Sequence, residues 1–377
     1  MKKKLLILSF SPIASDARVL KQVRGLSSDF DVTTCGYGDA PAGVAEHLQI
    51  PSSTPNRPFG GYLRLHAYSA AYWLMPSVRA AKSAIGKRAF DIVLANDVEA
   101  VPLALSLRPH RGVHADLHEY SPLLHEDIPA WRALQTPYLN WLCRRHVSRA
   151  ASWSTVSRGL AEQYEREFGF RPELVTNAAP FEELSPSSTS ERIRLVHSGV
   201  GMRDRFLETL VEAVTAAHVD VSLDLYLVPN EPAYVDELRS NVAGNPRVTV
   251  HDPVPYADLA RTLNGYDVGV HLLPPVNFNN RWALPNKLFD YVQARLGVLI
   301  GPSPEMAHYV NEYGIGKVAD GFASGDLTVA IDQLTPDRVS AWKAAADANA
   351  ERLCAESQVQ IWRAAIERLA ASQPPAS

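Results

Sequence analysis

The sequence predicts an α/β protein of two doubly wound, Rossmann-like domains facing a cleft. Short apolar runs alternate with amphipathic stretches along the whole chain. Several of the runs are apolar on both faces, as parallel strands covered by helices on each side must be. A polar, Ser-rich segment, EELSPSSTSER (Glu182 to Arg192), interrupts the alternation, which then restarts. Such a segment cannot build a core and reads as a linker. The length of 377 residues fits two domains at roughly 100–200 residues each.

In the first half the expected strands are KLLILSF, DVTTCGY, DIVLAND, GVHADLH, SWSTVS and ELVTNA. The first apolar run, Leu5 to Phe10, is shorter than the roughly 7–15 residues of a signal-peptide core, so it is read as a buried strand. Helical patterns lie between the strands: DARVLKQVRGL, one long segment from Tyr62 to Lys87, VEAVPLALSL, WRALQTPYLNWLCRRHVSRA and RGLAEQYEREFG. After the linker come IRLVHSG, VSLDLYLV, RVTVHDP, DVGVHLLP, GVLIGP and GIGKVA, again with helices between, and then a mostly helical end and a frayed SQPPAS tail. The expected domains are 1–182 and 193–351, joined by a linker at 183–192. A terminal helix at about 352–372 is expected to return to the first domain.

A hydrophobic share of 46%, a charged share of 21% and a formal net charge of −4 describe an ordinary globular chain. They give no reason to expect a nucleic-acid partner, which calls for a basic surface. Cys35, Cys143 and Cys354 are far apart and form neither a metal spacing nor a disulfide framework, which favours a reducing compartment. No stretch approaches the roughly 18–20 apolar residues of a membrane span. The expectation is a cytoplasmic protein. Peripheral contact with the inner membrane face is left open through 55–88, where Tyr, Trp and Phe mix with Arg64, Arg79, Lys82, Lys87 and Arg88. The other reading of that segment is a cover helix with a solvated basic face.

In open α/β sheets, ligands bind beyond the carboxyl ends of the strands, so the strand-to-helix turns are the places to look. After DVGVHLLPP comes NNRWALPNKLFDYVQAR. Pro285 favours a helix start, Asn286 can cap or donate, and Lys287 sets a charge at the helix mouth. Asp290 follows at i+3. A diphosphate can take the N–H groups and Lys287 while Asp290 accepts ribose hydroxyls. A surface helix with a Lys–Asp pair is the competing reading. In HSGVGMRDR, Gly199 and Gly201 allow close backbone approach, and Arg203 and Arg205 can clamp phosphate. ADLHEYSPLLHED gathers Asp116, His118, Glu119, His125, Glu126 and Asp127. A histidine beside carboxylates suits proton transfer near neutral pH. Zinc is a rival reading, but the HExxH spacing is absent. Asp16 reads as a helix cap, Arg18 as a residue of the cleft or of its helix surface, Asp97 and Ser157 as caps, and Asn177 as a hinge residue.

These stretches together resemble the GT-B glycosyltransferases, in particular glycosyltransferase family 4. SDARVLKQVRGL is similar to a DxRVxxxxxxL opening, and FDIVLANDVEAVPLAL to the family's YDVVHAHD element. ADLHEY is similar to a DxHE turn, and STVSRGLAEQYEREFG with VTNAAP to a TVS…N pair. ALPNKLFDYVQARLGVLIGPSPEMAHYV matches an LPNKLFEY element. The resemblance implies that Asp290 binds ribose, that Leu284, Pro285, Asn286 and Lys287 meet the diphosphate and donor sugar, and that Arg203 or Arg205 holds the diphosphate. It implies that His118 stands at the donor sugar, with Asp116, His118 or Glu119 as base if the reaction inverts. Trp282 occupies the position of the family's first glutamate, so the stereochemical outcome stays open.

The implied activity is metal-independent transfer of a sugar, without a cofactor, from a nucleotide diphosphate-sugar donor to a hydroxyl on a glycan, lipid-linked glycan or small molecule. This is a hexosyltransferase of the EC 2.4 class, in cell-surface polysaccharide or glycoconjugate synthesis. The alternatives are a nucleotide-sugar 2-epimerase of the same architecture and a non-catalytic nucleotide-sugar-binding subunit.

Overall fold

The computed structural model of the chain describes residues 2–372. They carry thirteen strands. Seven are β1 (Lys3–Pro12), β2 (Phe30–Tyr37), β3 (Glu46–Ile50), β4 (Ile92–Asn96), β5 (Gly112–Leu117), β6 (Ser152–Thr155) and β7 (Glu173–Leu174). They form one parallel sheet in the order β3-β2-β1-β4-β5-β6-β7. The other six are β8 (Ile193–Val200), β9 (Val221–Val228), β10 (Val248–His251), β11 (Val268–His271), β12 (Gly297–Ile300) and β13 (Gly316–Val318). They form a second parallel sheet in the order β10-β9-β8-β11-β12-β13. In each sheet the strand order reverses beside the first strand of its unit, which is the position where doubly wound domains bind ligands.

The chain divides into two compact units. The described part of the first is 2–176, 277–279 and 358–372, and the second is 177–276 and 280–357. Residues 183–192, expected as a linker, form neither strand nor helix and lie in the second unit, where Ser187 Oγ donates to the Asn264 carbonyl at 2.7 Å. Of the tail expected to fray, 372–377, Ser372 donates its N–H to the Arg368 carbonyl at 3.1 Å, and 373–377 lie outside the described residues.

β1 is buried on both faces because helices cover both sides of its sheet. Leu5, Ile7, Val19, Val23 and Leu26 share one core with Ile366 and Leu369 of the terminal helix Ala355–Ala371. Within the first unit, Arg363 of that helix donates to the Gly25 carbonyl at 2.8 Å.

The long helical pattern from Tyr62 to Lys87 resolves into three short helices, Gly60–Arg64, Tyr68–Trp73 and Pro76–Ile85. His66 takes a left-handed conformation at φ 53° between the first two, and Pro76, which cannot extend a helix backwards, opens the third.

In the second unit, the helix Asn286–Gln293 lies against β11. Gly269 makes this possible. A Cβ there would sit 2.3 Å from Tyr291 Cγ, so glycine lets the tyrosine ring rest on the strand, and its hydroxyl donates to the Val270 carbonyl at 3.2 Å. That contact fixes the start of the helix beside the carboxyl end of β11.

Candidate functional site

The two units each present a constellation. In the first, Asp16 caps the helix Ala17–Leu26 by accepting from the Arg18 and Val19 N–H groups at 3.0 and 3.2 Å. The capped first turn carries Arg18 inward to Asp116, at the end of β5. Arg18 Nε and Nη2 each donate to a separate carboxylate oxygen at 2.7 Å. Gln22 Nε2 donates at 2.7 Å, Ser154 Oγ at 2.5 Å and the Trp362 indole at 3.3 Å. A carboxylate has about four lone-pair sites, and five donors already surround this one. Burial opposes its charge, but the Arg18 guanidinium, with its two hydrogen bonds, and the nearby His118 ring outweigh burial and hold the carboxyl well below its ordinary range. At 0% exposure Asp116 has no free face. The sequence reading made it a candidate for proton transfer. Its oxygens are turned to these donors and to the His118 ring.

His118 lies just beyond. Its Nε2 is 3.4 Å from Asp116 Oδ2, and its Nδ1 is 3.7 Å from Asp97 Oδ2. Asp97, in a left-handed conformation at φ 64° that aspartate tolerates, also accepts the His118 N–H at 3.3 Å. Burial works against the imidazolium, but Asp97 and Asp116 prevail and raise the histidine above its ordinary value. The ring is 23% exposed and opens on a cavity of about 330 Å³. Ser11, Asn56, Asp97, Glu99 and Glu119 line the same cavity. His118 and Glu119 are thus brought together on one surface, with Asp116 behind it.

Glu99 was not singled out from the sequence. Burial first, and then the Asp97 charge, push its carboxyl up to about 7. Its signal was available, since it lies two residues past Asp97 in the turn after β4. The remaining members of the acidic stretch disperse: Glu126 accepts the Phe278 N–H at 2.6 Å, and His125 packs its ring edge-on against Trp131 at 4.7 Å. Among the described residues no group of three His, Cys, Asp or Glu side chains is placed to hold a metal ion.

In the second unit the site gathers at the carboxyl ends of β8 and β11. Pro285 precedes the helix Asn286–Gln293 with φ −74° and ψ 155°, no side chain caps the helix, and in its first turn the Leu288 N–H donates to the Pro285 carbonyl at 3.3 Å, ahead of which the opening N–H groups face outward as at any helix start. Lys287 reaches from that turn across the end of β8. A Cβ on Gly199 would lie 2.4 Å from Lys287 Cε and 2.6 Å from Nζ, so only glycine leaves room for the amine. Burial, then Arg205, lowers the Lys287 amine from its usual value, while Asp290 pulls the other way. Arg205 Nε is buried without a hydrogen bond, although Asp204 lies 3.3 Å away as an ion contact. Both cations retain unused donor capacity, which is the chemistry of an anion site.

The other residues expected here sort by exposure and partner. Arg203 pairs with Glu237 and lies over the Tyr234 ring at 5.1 Å, so Arg205 is the better placed of the two arginines. Leu284 is buried in a hydrophobic core, which leaves its backbone and not its side chain for a ligand. Asn286 is exposed at the helix mouth. Asp290 is buried and accepts from Tyr256 at 3.3 Å, a partner the sequence did not suggest. Trp282 is half-buried with the Arg281 guanidinium 5.5 Å from its ring centre, so that position offers no carboxylate.

Two histidines were also missed. His197 near the end of β8 and His271 at the end of β11 stack at 5.7 Å. His197 Nδ1 bonds the Val270 carbonyl at 2.9 Å and so carries the proton. Burial and the Lys287 charge hold His197 down to about 3. In the sequence both read as polar interruptions of apolar strands.

No protein-family model matches the chain. No curated protein matches it in sequence. Solved structures do match in fold. Sucrose-phosphate synthase from Thermosynechococcus elongatus aligns with a TM-score of 0.74 at 14% identity, over 98% of this chain and 100% of that one. HepE from Anabaena, solved with UDP and glucose, aligns with a TM-score of 0.70 at 15% identity, over 97% and 100%. WaaG, a glycosyltransferase involved in lipopolysaccharide biosynthesis, aligns with a TM-score of 0.61 at 13% identity, over 98% and 100%. At these identities the likeness establishes the fold: two parallel-sheet α/β domains of the GT-B class.

Proposed function

We propose that the protein is a glycosyltransferase of the EC 2.4 class, akin to family 4. It moves a sugar from a nucleoside diphosphate donor to a hydroxyl acceptor in glycoconjugate or surface-polysaccharide synthesis. The observation that carries the reading is the Lys287 amine, which lies against Gly199 beside Arg205 at a helix mouth and has no hydrogen-bond partner among the described residues. Negative charge grows on the diphosphate as the anomeric carbon–oxygen bond breaks. Preorganised cations and helix N–H groups stabilise that charge without needing a metal. Asp290 and Tyr256 take the ribose hydroxyls. In the first unit, the cavity of His118, Glu119 and Glu99 takes the acceptor, a glycan, lipid-linked glycan or small molecule. HepE with UDP and with UDP-glucose supports a uridine donor.

A thermal-shift screen against UDP-, GDP-, dTDP- and CMP-linked sugars tests this. A donor at 100 times its dissociation constant adds about 2.7 kcal/mol of stability, a rise of several degrees. A UDP-sugar is expected to give that rise, and flat melting temperatures across the panel would refute the reading.

The proposal places the protein in the cytoplasm with peripheral membrane contact through 55–88. Among the described residues no helix is long and apolar enough to cross a membrane. Phe59, Leu65 and Leu74 are 50%, 79% and 39% exposed, and Phe59 and Leu74 line a groove of about 650 Å³ with Arg79. Exposed apolar groups beside Arg57, Arg64 and Lys82 suit an anionic lipid surface. Phe59→Ser with Leu65→Ser is expected to abolish co-flotation with phosphatidylglycerol vesicles, and equal flotation of both proteins would remove the contact.

A further inference from the structure

His271 is the polar group of the second-unit site whose chemistry is unaccounted for. It ends β11 at 5% exposure, and among the described residues neither ring nitrogen has a hydrogen-bond partner. Buried polar atoms in folded proteins are almost always satisfied, so an imidazole with both nitrogens idle calls for a missing partner. The titratable and charged groups that face it are Lys287 from the helix mouth, His197 from β8 and Arg205 from the turn beyond β8. None of them is an acid. His197 commits its own Nδ1 proton to the Val270 carbonyl. The missing partner is therefore rich in acceptor oxygens and negatively charged.

On the nucleoside diphosphate reading given above, which this inference deepens, we propose that His271 is a diphosphate ligand that donates a ring N–H to a phosphate oxygen and takes up a proton from solvent as the diphosphate arrives. The direction follows from the surroundings. Burial comes first, followed by the Lys287, His197 and Arg205 charges, and together they hold the ring neutral, well below its ordinary value. A bound diphosphate brings roughly three negative charges, which reverses the local field and favours the imidazolium. The ring then donates a charge-assisted bond, which is stronger than a neutral one. No covalent bond changes, and the proton comes from the buffer.

The test is calorimetric titration of inorganic pyrophosphate, and of UDP, into wild type and His271→Asn at pH 7 in buffers of different ionisation enthalpy. The slope of heat against buffer enthalpy counts the protons taken up. Ligand titration and any uptake by Lys287 or His197 are common to both proteins, so the difference belongs to His271. Wild type is expected to take up measurably more proton per pyrophosphate, and the variant to bind roughly tenfold to a hundredfold more weakly. Equal affinity and equal proton counts would overturn the role of His271 and leave the donor reading standing. Failure of wild type to bind either ligand would overturn both. Should the variant misfold, nitrogen-15 spectra of the wild-type histidines at pH 6.5 decide the matter. The His271 ring should move to the imidazolium range on adding pyrophosphate, and an unmoved ring overturns the proposal.

Discussion

Arg18→Met should destabilise the first unit by about 3–5 kcal/mol, the usual cost of removing one partner from a buried ion pair. The size follows from what remains. Asp116 would keep Gln22, Ser154 and Trp362 as donors but lose the guanidinium that pairs with both its oxygens, and a buried carboxylate short of its counter-charge is strongly disfavoured. Arg18 also donates to the Val175 carbonyl at 3.0 Å and stacks over the Trp362 ring at 4.7 Å. One guanidinium thus ties the first helix, β5 and the terminal helix together. Denaturant unfolding of the variant should show an earlier transition. Adding Asp116→Leu should recover much of the loss, since the stranded charge goes with it. A single variant as stable as wild type would show that Asp116 is held by its neutral donors alone.

Lys287→Ala should have the opposite profile. Turnover is expected to fall about 100- to 1000-fold, or ~2.7–4 kcal/mol of barrier, by analogy with the loss of one donor to a developing oxyanion. Stability should hold or rise, because the amine is desolvated and has no hydrogen bond to lose. Sharply reduced turnover with an unchanged or raised melting temperature separates a residue that serves the reaction from one that serves the fold. Unchanged steady-state kinetics would remove Lys287 from the mechanism.

The contrast between these two residues also explains what could be read in advance. Strands such as β1 and β4 are apolar on both faces, so their position in a covered parallel sheet was legible from a few letters. β3, EHLQI, was not. It is an edge strand paired only with β2, and its mixed polar pattern carries no such signal. The helix mouth at Lys287 was legible because a proline, an amide and a lysine lie within a few residues of one another. The Arg18–Asp116 pair was not, because its members are 98 residues apart. A carboxylate in a sequence carries no sign of the five donors that gather around it, and those of Asp116 come from residues spread over the first unit. His271 hid for the converse reason, because one histidine in an apolar strand looks like core. Its meaning lies in three basic neighbours from other elements.

On the proposed function, Lys287 and its neighbours form the site for a departing diphosphate. Titrating UDP into wild type and Lys287→Ala by calorimetry tests it most directly. Wild type is expected to bind one UDP per chain, and the variant to bind it at least tenfold more weakly, since a charge-assisted hydrogen bond contributes about 1.5–3 kcal/mol. Equal affinity in the two proteins would contradict it.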